Sequence, residues 1–133
     1  MFISFTQFIF HRIPSIVFFL NIYMFYKINY LIGGSCNLLN LNIALEMIKN
    51  NEFDHIFDVR SNEEYEKGNY PGSINIPHDL ITNENTNKFS KNSKILIYCR
   101  SGRRAELAVN KFMSLGFNNL FYIKESYDKL LNS

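Results

Sequence analysis

The sequence predicts an α/β domain, a mostly parallel sheet of about five strands flanked by helices, behind an apolar N-terminal appendage. Two observations carry this reading. Ile95 to Tyr98 is a β-branched and aromatic run without polar alternation, as expected of a strand buried on both faces of a parallel sheet. After a short polar, basic loop, Leu107, Ala108, Phe112, Met113 and Leu115 recur at helical spacing from Ala105 up to Gly116, a C-terminal stop.

The other elements follow in order. Leu41, Leu45 and Ile48 mark one face of a first helix that ends near Asn50 and Asn51 and covers one side of the sheet. His55 to Val59 reads as a strand that delivers Asp58 and Arg60 at its end. Asn62, Glu63 and Glu64 open a short helix with an N-cap and an acidic first turn. Gly68, Pro71 and Gly72 force a tight passage into a strand from Ser73 to Ile76. Asn83 to Asn92 is polar, rich in asparagine and without periodicity, which predicts a solvent-exposed loop. Leu120 to Ile123 is the last strand.

The chemistry gathers in Cys99-Arg100-Ser101-Gly102-Arg103-Arg104, between the buried strand and its helix. A helix N-terminus presents unpaired N–H groups and a partial positive charge, so a thiolate there is favoured over a thiol. Arg100, Arg103 and Arg104 add three cations within five residues of the sulfur. Gly102 supplies a position free to take positive φ, which lets successive N–H groups turn inward around an anion. A buried core cysteine is the common alternative for Cys99. Arginines clustered beside it argue against that, because guanidinium groups are almost never buried unpaired.

This loop resembles the C-x-x-G-x-R active loop of the rhodanese, or sulfurtransferase, family. Three further stretches agree in order and spacing. Ile56-Phe57-Asp58-Val59-Arg60 with Glu63, Glu64 and Tyr65 resembles a D-V-R…E-Y segment, and Gly68-Asn69-Tyr70-Pro71-Gly72-Ser73-Ile74-Asn75-Ile76-Pro77 resembles G-H-I-P-G-A-x-x-I-P. Leu115-Gly116-Phe117 and the strand after it match the family's turn and strand beyond the active-site helix. The resemblance spans roughly residues 40–131 and implies a rhodanese-like fold.

It also implies transfer of a sulfane sulfur. Cys99 would attack a small-molecule donor such as thiosulfate, hold the sulfur as a persulfide within a cradle of loop amides, and pass it to a thiol or cyanide acceptor. Arg104 would close the loop, while Arg100, Ser101 and Arg103 would face the entrance and bind substrate with Gly102. Asp58 and Arg60 read as structural residues near the site, the carboxylate capping backbone amides or pairing with an arginine. No cofactor is implied.

Two other classes compete. One is a rhodanese-like module that binds a partner without turnover. The other is a phosphatase or arsenate-type thiol enzyme, whose C-x5-R loop needs an arginine six positions after the cysteine; Ala105 stands there, and Arg104 is five on. The chain departs from the family in having Asn69 where a histidine is usual. It also has Lys124-Glu125-Ser126-Tyr127 where a Gly-Gly pair commonly follows the last strand, which puts a negative side chain, Glu125, near the pocket rim.

Of 14 Lys and Arg, Arg12 and Lys27 lie in the N-terminal segment, and the other 12 balance all 12 Asp and Glu. The domain from Cys36 to Ser133 is formally neutral, which does not indicate a nucleic-acid face. Two cysteines, Cys36 and Cys99, make no disulfide framework, and a bridge between them would inactivate the thiol. His11, His55 and His78 are scattered and no cluster has metal-ligand spacing. Residues 1–35 are a separate apolar segment, with seven phenylalanines among Ile, Leu, Val and Tyr and a hinge at Gly33-Gly34. A membrane anchor through residues 13–32, a cleaved signal and an added extension all fit it; a retained anchor places the domain at a membrane, and otherwise it is cytoplasmic.

Overall fold

The computed structural model describes residues 35–133, together with Leu20 and Met24. The apolar N-terminal segment, with its 13–32 span and its glycine hinge, lies outside the described residues. Among the described residues no helix is long and apolar enough to cross a membrane.

Ser35–Ser133 forms one compact unit. Its strands are β1 (Ser35–Leu38), β2 (His55–Asp58), β3 (Ile74–Asn75), β4 (Ile95–Tyr98) and β5 (Asn119–Tyr122). Its helices are α1 (Leu41–Lys49), α2 (Asn62–Lys67), α3 (Asn83–Thr86), α4 (Arg103–Ser114) and α5 (Tyr127–Leu131), with a single 3-10 turn at His78–Leu80. The sheet order is β1-β5-β4-β2-β3 and every pairing is parallel. The five-stranded parallel sheet flanked by helices is the architecture that the sequence predicts.

β4 lies at the centre, and all four of its residues are fully buried, as a strand covered on both faces requires. Alternation along it sends Ile95, Ile97 and Cys99 into the core beneath α4, while Tyr98 shares the other face with its register partner Asp58. α4 buries Ala105, Ala108, Val109 and Phe112 at helical spacing. Phe112 stacks on Phe57 at 5.4 Å and meets Phe117 edge-on at 5.3 Å. The helix stops at Leu115, after which Gly116 takes φ 94° and the amide of Phe117 returns to the carbonyl of Phe112.

Three local expectations are corrected, and one strand is added. β1 carries no strand signal in the sequence: two polar residues and a cysteine gain their extended conformation by pairing with β5, Cys36 opposite Leu120. The N-cap of α2 is Ser61, not Asn62, because Ser61 and Glu64 form a reciprocal capping box. Asn83 to Asn92 is no plain exposed loop: α3 occupies its start under a Thr82–Asn85 capping box, Thr86 is wholly buried, and Phe89 packs edge-on against Phe57 at 5.0 Å. The strand expected from Ser73 to Ile76 pairs only at Ile74 and Asn75, at the sheet edge.

Candidate active site

Cys99 follows directly on the carboxyl end of β4 and is 1% exposed, at the floor of the loop that leads into α4. Its Sγ accepts from the Gly102 amide at 3.0 Å and from the Ala105 amide at 3.4 Å. Both belong to the group of amides that a helix leaves unpaired in its first turn. The chain can bend back this far because Gly102 takes φ 90°, ψ −21° as the N-cap of α4. A second constraint fixes glycine here: a Cβ would lie 2.9 Å from the Cα of Lys124, which is backbone and cannot yield cheaply.

The arginines of the loop divide into two kinds. Arg104 makes a fork with Glu64, Nη1 to Oε2 at 2.6 Å and Nη2 to Oε1 at 3.0 Å. This hydrogen bond holds the Glu64 carboxyl down at about 2 against a usual 4.5, and it raises the Arg104 guanidinium in turn against the opposing effect of burial. Since Glu64 also receives the amide of Ser61, the pair clamps the start of α4 to the start of α2. Arg100, Ser101 and Arg103 are exposed, and among the described residues neither arginine forms an ion pair.

The other face of β4 carries a buried polar network. Asp58 accepts from the Arg60 amide at 2.9 Å, from Arg60 Nε at 3.0 Å and Nη2 at 2.6 Å, and from the Tyr98 hydroxyl at 2.7 Å. Arg60 Nη2 also donates to the Gly68 carbonyl at 2.7 Å, and the Tyr98 hydroxyl accepts from the Tyr70 amide at 3.0 Å. Burial lowers the affinity of Arg60 for its proton, but the hydrogen bond and charge of Asp58 outweigh it and the net direction is upward. Burial pushes the Tyr98 hydroxyl up, and its bond to Asp58 adds to this while Ser73 and Tyr70 oppose it. The ring of Tyr127 closes the stack, 4.6 Å from the Arg60 guanidinium.

The segment after β5 crosses the site. Lys124 packs on Gly102, and three residues later Tyr127 reaches Arg60, just beyond β2, and Gly68, the C-cap of α2. Because β4 lies between β5 and β2, Glu125 and Ser126 span the carboxyl end of β4, where Cys99 stands. Glu64, Tyr98 and Tyr127 are partners that sequence reasoning missed. Ser61-x-x-Glu64 is a legible capping box, but nothing local announces that Glu64 also meets a residue 40 positions on.

Cys36 and Cys99 are both free. Cys36 lies opposite Leu120 and Leu120 opposite Ile95, four residues short of Cys99, so roughly 13 Å of strand separates the two along the sheet. A disulfide needs Cα atoms within about 7 Å. Among the described residues no group of His, Cys, Asp and Glu is arranged to hold a metal ion.

The rhodanese-like domain model matches residues 40–133. The chain belongs to the rhodanese-like domain family. It is 32% identical over 102 residues to the adenylyltransferase and sulfurtransferase UBA4 of Meyerozyma guilliermondii, which covers 68% of this chain and 24% of that protein. It is 32% identical over 85 residues to the tRNA uridine(34) hydroxylase of Hamiltonella defensa, covering 59% of this chain and 23% of that one. The chain thus spans about a quarter of the length of these two relatives. Among solved structures, the single-domain sulfurtransferase RDL2 of Saccharomyces cerevisiae superposes with a TM-score of 0.58 at 21% identity, covering 74% of this chain and 90% of that one. SSP1007 of Staphylococcus saprophyticus superposes with a TM-score of 0.61 at 26% identity, covering 71% and 92%. These likenesses agree with the five-stranded parallel fold.

Proposed function

We propose that this protein is a sulfurtransferase that carries a sulfane sulfur on Cys99. The observation that supports the reading best is the sulfur itself: Sγ sits at a helix N-terminus and accepts from the amides of Gly102 and Ala105. A thiolate in that position attacks the outer sulfur of a donor, the bond of that sulfur to the donor breaks, and its electron pair leaves with the donor's remainder. The persulfide anion so formed needs several donors around it and no carboxylate in contact, which amides of the loop provide. A thiol or cyanide then attacks the outer sulfur and Cys99 leaves as the thiolate. Arg100 and Arg103, exposed and without ion pairs among the described residues, would draw anionic substrates to the mouth. Asp58 and Arg60 take a supporting part, holding the ends of β2 and β4 together through Tyr98. Thiosulfate is the donor to test first.

The phosphoryl-transfer reading loses its arginine. Arg104 is one position too early in the sequence, and its fork is spent on Glu64. The sulfurtransferase named among the relatives supports transfer of sulfur, as does the single-domain sulfurtransferase fold neighbour.

The test is intact mass of the full chain before and after thiosulfate and then cyanide, beside Cys99→Ser. Gain of one sulfur on the wild type alone, lost to cyanide as thiocyanate, is the expected result. Absence of an adduct from thiosulfate and from inorganic polysulfide would refute the carrier role and leave a binding module.

A further inference from the structure

Glu125 is a carboxylate near this loop that, among the described residues, no cation holds. Asp58 is paired with Arg60 and Glu64 with Arg104, whereas Glu125 has no hydrogen bond or ion pair among the described residues. Its Oε2 is cut off from water and receives no donor, although the side chain as a whole is only half-buried. Buried carboxylate oxygens normally have a hydrogen-bond donor, so one without a donor calls for an explanation. Its place in the chain matters equally: it stands between Lys124, packed on Gly102, and Tyr127, packed on Arg60, and so spans the end of β4 that carries Cys99.

We infer that Glu125 is a specificity-determining residue that selects, as sulfur acceptor, a thiol bearing an ammonium group. This rests on the sulfurtransferase reading above. In the transfer step the acceptor thiolate attacks the outer sulfur of the Cys99 persulfide. The bond between that sulfur and Sγ breaks, its electron pair returns to Sγ as a thiolate held by the Gly102 and Ala105 amides, and the acceptor leaves as a persulfide. No outside oxidant or reductant is consumed. Nucleophile and target are both anionic, so the ammonium of an aminothiol, held on Glu125, lowers their repulsion. An acceptor carrying a carboxylate instead meets Glu125 as a like charge.

The test uses the full chain loaded at Cys99 with inorganic polysulfide, then chased with cysteamine or with 3-mercaptopropionate, the transfer followed by intact mass. Comparing wild type with Glu125→Gln for each thiol cancels the intrinsic reactivity of that thiol. The rate with cysteamine is expected to fall about tenfold in the variant, the effect of one charge-assisted hydrogen bond, while the rate with 3-mercaptopropionate stays the same or rises. Equal effects on the two thiols, or none on either, would overturn the inference and leave the carrier role standing. Failure of wild-type Cys99 to load would overturn both. If the glutamine variant does not fold, Glu125→Gly carries the same comparison.

Discussion

Gly102 is the residue at which the loop is most exposed to a single methyl group, and Gly102→Ala yields a sharp test of the cradle. Two costs add. At φ 90° an L side chain meets the backbone strain of the left-handed region, about 1–2 kcal/mol. The new Cβ would also lie 2.9 Å from Lys124 Cα, and forcing a packed neighbour aside costs about 1–3 kcal/mol more. Gly116 provides the control, since it has φ 94° and a methyl group added there would meet nothing within 4 Å. Gly116→Ala therefore carries the first cost alone, and both variants share the same relief of about 0.4–1 kcal/mol from a stiffer unfolded chain. The difference between them isolates the clash at about 1–3 kcal/mol, each kcal/mol being about 4–8 °C in the melting temperature of a domain this size. Thermal unfolding of both variants gives that difference, and intact mass gives sulfur loading. Loading is expected to fall at Gly102→Ala and to be unchanged at Gly116→Ala. If the two variants melt within about 1 °C of each other and load alike, the strap after β5 does not brace the loop and the reasoning fails.

Three other perturbations draw on the same geometry. Asp58→Asn removes the charge opposite a guanidinium in a nearly closed network and should cost about 3–5 kcal/mol by denaturant unfolding, against about 1 kcal/mol for Tyr98→Phe; equal costs would mean that Arg60 is not dependent on Asp58. Glu64 holds its proton at about 2 rather than the usual 4.5, so the folded state binds that proton less readily than the unfolded one. The resulting stability is present above pH 4.5 and is lost as pH falls toward 2; with both side chains about a third exposed it amounts to about 1 kcal/mol, and Glu64→Gln should flatten that part of the acid-unfolding profile. Burial first, and then the charge of Glu106, push the Cys36 thiol up, so its alkylation followed by peptide mass should still be rising at pH 9, where an ordinary thiol begins to level off, and Cys36→Ser should leave sulfur loading unchanged.

The features legible in the sequence and those hidden from it divide by the range of the interactions. β4 is readable because burial on both faces leaves an unbroken apolar run, and α4 because its buried residues fall on one stripe. Ser35–Leu38 is unreadable because its conformation depends on β5, more than 80 residues away, and two of its four residues are polar. The stretch from Asn83 misleads because its composition is that of a loop, yet one threonine bonds its own helix, Oγ1 to the Thr82 carbonyl at 2.7 Å, and so can be buried without leaving a donor unpaired. Glu64 is visible as a capping residue and invisible as the partner of Arg104, since the first role is local and the second spans 40 positions.

The same division changes the account of what stabilises a charged sulfur. From the sequence, three arginines within five residues of Cys99 look like three cations serving one anion. In the folded chain Arg104 is neutralised by Glu64, and Arg60, brought near by β2, is neutralised by Asp58. Arg100 and Arg103 remain, but both are exposed, where water and salt screen a charge within about a Debye length. The amides of Gly102 and Ala105 lie at 3.0 and 3.4 Å from Sγ in a buried site, where fixed dipoles act with little screening. Holding the sulfur therefore falls to the backbone and attracting the substrate to the side chains. It follows that Arg100→Gln and Arg103→Gln should weaken the use of anionic donors and lessen its salt dependence while leaving saturated loading intact, whereas Gly102→Ala should lower loading at every donor concentration.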